Sequence, residues 1–242
     1  MLRSHENRPV AGRAVFHHNA RMELYDAMDT TFAAREFTTD PVPDEVLERI
    51  FAHARFAPSG GNRQGWHVIV VRDQETKDAI AECAKPAARR YAAQAALGEN
   101  PWNTVMPTRA TPEMIAATPV PATLTEPYRR APVVLVVCVD LRVVASIDQY
   151  LPRTAVASGA SIYPLAWNIL LAARNEGLGG TLTTMPIAEE PALRKLLHLP
   201  ESVAVCTIMP LGKPVRQLSK LKRKPVSTFV TRERWDGAPF GT

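Results

Sequence analysis

A chain of 242 residues, 46% of them hydrophobic, can bury one sizeable core or at most two small ones, and one domain is expected. Its apolar stretches fall well below the roughly 20 residues a membrane-spanning helix requires, and the first twenty residues lack the apolar centre of a secretory signal, so a soluble protein without a membrane partner is expected. The net charge of +5 would suit phosphates, nucleic acid or acidic ligands without specifying a fold, and three scattered cysteines, Cys83, Cys138 and Cys206, point to free thiols in a reducing, cytoplasmic setting.

Residues 1–20 carry Arg3, Arg8, Arg13 and three histidines but no apolar run, and read as a mobile tail ahead of a single domain over 21–242. From Asp44 the residues Val46, Leu47, Ile50, Phe51 and Ala54 recur at helical spacing, preceded by Pro41 and Pro43 and stopped by Pro58. Trp66 to Val71 is a short β-branched strand, and Asp73 to about Leu97 is an alanine-rich helix with a possible break at Pro86. Residues 98–131 are rich in proline, poor in periodic apolar positions and too long for an ordinary connection, which suggests an insert or lid.

Pro132 to Leu141 is continuously apolar and should be a central strand covered on both faces. Thr154 to Glu176 is the most apolar helix, with Gly177 placed to stop it. Thr181 to Met185 is a short strand or turn, Glu190 to Leu199 a helix with Pro191 in its first turn, and Val203 to Leu211 another strand. Helices and strands thus alternate after an opening pair of helices, with no internal repeat.

No HExxH, CxxC, P-loop or GxSxG pattern is present, and no GxGxxG follows a strand. His53 and His67 are isolated, and Ser59 has no suitably spaced His and Asp. Any chemistry therefore belongs to a bound cofactor rather than to a side-chain nucleophile.

Four segments carry a resemblance. They are Ala34-Arg35-Glu36-Phe37 with Pro41-Val42-Pro43; Ala57-Pro58-Ser59-Gly60-Gly61-Asn62-Arg63-Gln64-Gly65-Trp66; Gly177-Leu178-Gly179-Gly180-Thr181-Leu182-Thr183-Thr184; and Pro210-Leu211-Gly212-Lys213-Pro214 with Leu221-Lys222-Arg223-Lys224-Pro225. In order and spacing, across residues 24 to about 230, they resemble the nitroreductase family. The resemblance implies an α+β fold with a sheet flanked by helices, an intertwined homodimer, and FMN in each of two clefts between the subunits. It further implies a cycle in which NADH or NADPH reduces the flavin and a small-molecule electron acceptor, such as a nitroaromatic or quinone, reoxidises it. Reductive dehalogenation or flavin cleavage on the same scaffold, and a non-catalytic flavin-binding protein, are the alternatives.

Each motif has a physical reading beside the one the resemblance implies. Arg35 presents a planar fork suited to the FMN phosphate or the pyrimidine edge of the flavin, or else pairs with Glu36 or Asp40. Around Pro58, Ser59, Gly60, Gly61 and Asn62 the backbone is free to approach a planar ligand, unless this is a plain turn after a helix. Within the resemblance that loop reaches a flavin held mainly by the other subunit. Thr183, Thr184 and Met185 correspond to the segment facing the flavin near N5. Ser161 corresponds to a polar contact on the buried helix, or satisfies a helix carbonyl. Arg223, in the basic run Lys220, Lys222, Arg223, Lys224, corresponds to a C-terminal phosphate-binding arginine; by charge alone the run is a solvated face or a nucleic-acid patch.

The chain departs from the family at Thr31-Phe32-Ala33, where Arg-Arg-Ser is common. A phosphate thereby loses an expected cation, for which Lys213, Arg89 or Arg90 could substitute. Acceptor choice is expected to lie with the 98–131 insert, whose Trp102, Met106, Met114 and Tyr128 supply apolar surface.

Overall fold

A computed structural model describes residues 22–241; the expected N-terminal tail lies outside them. Helix α1 spans Leu24–Thr30 and α2 spans Asp44–Ala54, the latter ending ahead of Pro58 as its apolar periodicity predicts. Strand β1, Trp66–Val71, leads into α3, Gln74–Ala96, which is capped by the Asp73 carboxylate accepting from the Thr76 N–H. Pro86 does not break α3. Its ring removes one hydrogen bond, but Ile80, Ala81, Ala84, Ala87 and Ala88 remain buried along one face and hold the helix across it.

The 98–131 insert is not an open loop. It contains α4, Pro112–Ala117, and α5, Glu126–Arg130, each with proline in its first turn, where the missing N–H costs nothing. Both helices pack on α3. Tyr128 on α5 is buried, whereas Trp102, Met106 and Met114 stay exposed.

Strand β2 is Val133–Asp140. Its alternate residues divide between two cores: Val133, Leu135 and Val137 pack with α2, while Val134, Val136 and Cys138 pack with α3. Both faces are covered, which is why the sequence of this strand is continuously apolar rather than alternating.

The predicted helix from Thr154 begins late. Residues Ala157–Ser161 form a 3-10 turn and α6 runs from Tyr163 to Asn175. Pro164 fixes the start, because proline is accommodated in a first helical turn but would clash with the preceding turn further inside. Ser161 therefore stands in the turn before the helix, not on it. Gly177, at φ 76°, stops the helix as expected.

Strand β3 is only Gly179–Gly180, earlier and shorter than the expected strand or turn at 181–185, of which Thr183 alone makes an isolated bridge, to Ile208. Helix α7, Glu190–Leu196, and strand β4, Val203–Gly212, complete the fold. The sheet is antiparallel in the order β1-β2-β4-β3, with α2 and α6 over one face and α3 and α7 over the other. No helix among the described residues is long and apolar enough to cross a membrane.

Candidate functional site

The free edge of the sheet builds a cleft. The segment around Arg35 is stitched to this edge by backbone hydrogen bonds: Ala34 N–H to the Gly180 carbonyl, Thr38 N–H to the Lys213 carbonyl and Val215 N–H to the Glu36 carbonyl. Close approach here requires glycine at 180, since a Cβ would stand 2.7 Å from the Pro210 carbonyl oxygen. Beyond it, Thr183 exchanges two backbone hydrogen bonds with Ile208 and the chain turns into a 3-10 segment at Met185. Arg35, Thr183, Thr184 and Met185 thus meet, although 148 positions separate Arg35 from Thr183.

Together with Tyr128 and Leu124 they line a cavity of about 210 Å³. Tyr128 forms its floor. Its hydroxyl lies 2.8 Å from the Thr183 hydroxyl, and burial pushes its pKa up to about 12 against the nearby Arg35 charge, so the phenol is protonated at neutral pH. Arg35 is exposed and donates to the Ala33 carbonyl at 3.3 Å. The alternative partner Asp40 is taken instead by Lys213, at 3.2 Å. That pair also occupies one of the three cations considered as substitutes for the Thr31-Phe32-Ala33 segment. Thr31 itself is buried, its hydroxyl donating to the Ala27 carbonyl.

A second group forms elsewhere. In the Pro58–Asn62 loop, Gly61 and Asn62 adopt positive φ, and the Ser59 hydroxyl accepts from the Gln64 N–H. Ser161 joins this group: its hydroxyl accepts the Gly60 N–H at 3.0 Å, so it serves the loop rather than a helix carbonyl. Pro58, Gly60 and Asn62 are exposed. A Cβ at Gly60 would meet only the Ser161 hydroxyl, at 3.4 Å, leaving a side chain there directed to open space. None of these residues lines the cavity of Arg35.

The remaining expected residue, Arg223, is exposed on the C-terminal tract, donates to the Lys222 carbonyl, and is also outside that lining. The sequence reading had missed Tyr91, Leu124, Thr181 and Pro210, all of which line the cavity. Tyr91 gave one weak signal, being a lone aromatic in an alanine-rich helix.

No cysteine is among the described residues that line the cleft. Burial pushes the Cys138 thiol up to about 11 and Cys206 up to about 12, so both stay protonated at neutral pH. No cluster of His, Cys, Asp and Glu among the described residues could hold a metal.

The donor set fits a flavin mononucleotide in kind. A guanidinium, threonine hydroxyls and a backbone turn suit the polar edge of a flavin, and an adjoining cavity of about 500 Å³ shares Tyr91, Thr184 and Met185 with the 210 Å³ one.

A family model described as "Nitroreductase family" matches residues 30–213. A protein of Methanothermobacter thermautotrophicus, provisionally named NADH dehydrogenase/NAD(P)H nitroreductase, is 25% identical over 197 residues, covering 81% of this chain and 79% of its own length. The iodotyrosine deiodinase of Nematostella vectensis is 27% identical over 213 residues, covering 86% and 74%. Among solved structures, oxidised iodotyrosine deiodinase bound to FMN and 3-iodo-L-tyrosine superposes with a TM-score of 0.62 at 23% identity, covering 88% of this chain and 99% of the other.

Proposed function

The chain belongs to the nitroreductase family, and from that premise we propose that it is an FMN-dependent oxidoreductase, working as a homodimer, that takes reducing equivalents from NADH or NADPH and delivers them to a small aromatic acceptor such as a nitroaromatic or quinone. The observation that carries this reading is the division of the motif residues into two separate groups. Arg35 and Thr183 to Met185 line one cleft, while Pro58 to Asn62 and Ser161 belong to a loop, exposed at Pro58, Gly60 and Asn62, that does not line it. A second copy, placing its loop against this cleft, completes both.

FMN, when bound, supplies the two-electron redox chemistry. The protein's residues bind and orient it. Arg35 sets a permanent positive charge in the cleft, where it would hold the polar edge of a bound flavin. Tyr128, neutral at all working pH values, fixes the Thr183 hydroxyl and seals the floor against water. Thr184 and Met185 supply the turn whose backbone would hold the flavin ring. Arg223, from the C-terminal tract, is assigned to the phosphate. No side chain is needed as an acid or base.

Reductive dehalogenation is the second reading, favoured by the similarity to the Nematostella deiodinase. An absorbance spectrum of the protein with added FMN, then NADPH, then nitrofurazone or menadione tests the proposal. Flavin bands that bleach and return are the expected result. Bound flavin that nicotinamides never bleach would refute the oxidoreductase reading, and halide release from an iodoaromatic would favour the second.

A further inference from the structure

The hydrogen bond on the floor of the cleft has a direction that can be worked out from its surroundings. Tyr128 is 1% exposed and protonated at neutral pH, and among the described residues its hydroxyl has one partner, the Thr183 hydroxyl at 2.8 Å. A hydroxyl can donate or accept, so the pair allows two arrangements. Were Thr183 the donor, the phenolic proton would lie in the core without an acceptor, a costly arrangement. A phenol is also more acidic than an alcohol and so the better donor. Tyr128 therefore donates and Thr183 accepts.

The Thr183 hydroxyl keeps a proton of its own, and no group of the protein takes it among the described residues. Its own carbonyl is not available: it accepts from the Ile208 N–H at 2.8 Å and from the hydroxyl of buried Thr207 at 3.1 Å, which uses both lone pairs. Thr183 is half-buried and lines the cavity, so this proton is left for whatever fills the cleft.

We infer that Tyr128 is a positioning residue that locks the Thr183 hydroxyl as a hydrogen-bond donor toward the cleft, so that the site favours a ligand edge with a bare acceptor atom over the same edge carrying an N–H. The inference rests on the flavin reading of the cleft, and it makes that site sensitive to redox state. In an oxidised flavin the ring nitrogens N1 and N5 are bare acceptors, whereas hydride uptake from a nicotinamide leaves an N–H at N5. To meet that N–H, the Thr183 oxygen must turn its remaining lone pair to it and strand its own proton, because Tyr128 already fills the other lone pair. The cleft thus holds the oxidised form more tightly and lowers the potential of the bound flavin.

Potentiometric titration of protein-bound FMN is the test. Tyr128→Phe keeps the buried ring and frees the Thr183 hydroxyl to rotate and accept. The affinity for reduced relative to oxidised FMN should rise about tenfold, the size of one net hydrogen bond, which is a midpoint potential raised by about 30 mV for a two-electron couple. Thr183→Val removes the hydroxyl and should raise the potential too, and adding Tyr128→Phe to that variant should move it no further, since Tyr128 acts through Thr183. A misfolded variant loses its flavin and cannot mimic these shifts. Bound FMN with an unchanged potential in either single variant overturns the inference and leaves the flavin reading standing, as does a Tyr128→Phe shift that persists at full size beside Thr183→Val. Unmodified protein that binds no FMN sinks the flavin reading and the inference with it.

Discussion

Replacing Tyr128 by phenylalanine isolates the floor of the cleft. At neutral pH the substitution removes one hydrogen bond, that of 2.8 Å to the Thr183 hydroxyl, while the ring stays buried. Thr183 remains fixed through its two backbone bonds to Ile208, so no rearrangement should follow. The cost is therefore about 1 kcal/mol, equivalent to a Tm lowered by roughly 2–4 °C for a chain of this size. Alkaline pH reverses the sign. The buried phenol has its pKa raised from 10 to about 12, so the stability it confers is complete below pH 10 and is lost as pH rises toward 12. That rise corresponds to roughly 3 kcal/mol. Phenylalanine does not ionise and loses nothing. The difference in Tm between the two proteins should shrink above pH 10, vanish near about pH 11 and then favour the variant; groups common to both cancel. Calorimetric scans from pH 7 to 11.5 measure it. A difference independent of pH would show that Tyr128 is not buried as described, and a loss above roughly 4 kcal/mol at pH 7 would mean that the hydroxyl holds more than Thr183.

The other predictions concern the cofactor and the loop preceding α6. Arg35→Met should weaken FMN binding about tenfold, since hydrogen bonds to charged groups contribute roughly 1.5–3 kcal/mol, while Tm without FMN stays unchanged because the side chain is exposed; flavin fluorescence titration checks both. Gly60→Val should leave the subunit folded, given the open space at its Cβ, and reduce flavin content, so a normal flavin content in the purified variant would remove the loop from the site. Arg223→Ala should reduce FMN retention during dialysis without affecting circular dichroism, and undiminished retention would exclude that residue from the phosphate. Asp148 accepts from the Val156 and Ala157 N–H groups and pairs with Arg153 at 2.6 Å, and the first of these bonds, with Arg153 next, holds its carboxyl far below the usual carboxylate range. A depressed carboxylate contributes its stability above an unfolded value of about 3.9 and loses it as pH falls below that. Asp148→Asn should therefore lower Tm at pH 6 and show a shallower acid-induced decline below pH 4, and parallel declines would refute the assignment.

The amino-acid sequence by itself determined the elements whose signal is local. The periodicity of Val46, Leu47 and Ile50 forms α2 on the page as in space, and the unbroken apolar run from Val133 to Val139 is the mark of a strand buried on both sides. Proline and glycine gave local stops, and they were misread only where their effect depends on position: Pro164 starts α6 nine residues later than apolarity alone suggested, and Pro86 is absorbed by α3 because the helix is held by packing on the sheet. The motif residues were legible one by one.

Their grouping was not. Whether Arg35 meets Thr183, whether Ser161 bonds the Gly60 loop rather than a helix carbonyl, and whether Tyr128 is a lid residue or a buried floor all depend on how the sheet edge and α3 bring distant segments together. Cavities belong to the same class. Tyr91 and Trp102 carry no pattern in one dimension, because a pocket is lined by residues that share a space and not a spacing, and only the folding of the 98–131 insert against α3 brings Trp102 into one lining with Tyr91 and under the Arg90 guanidinium.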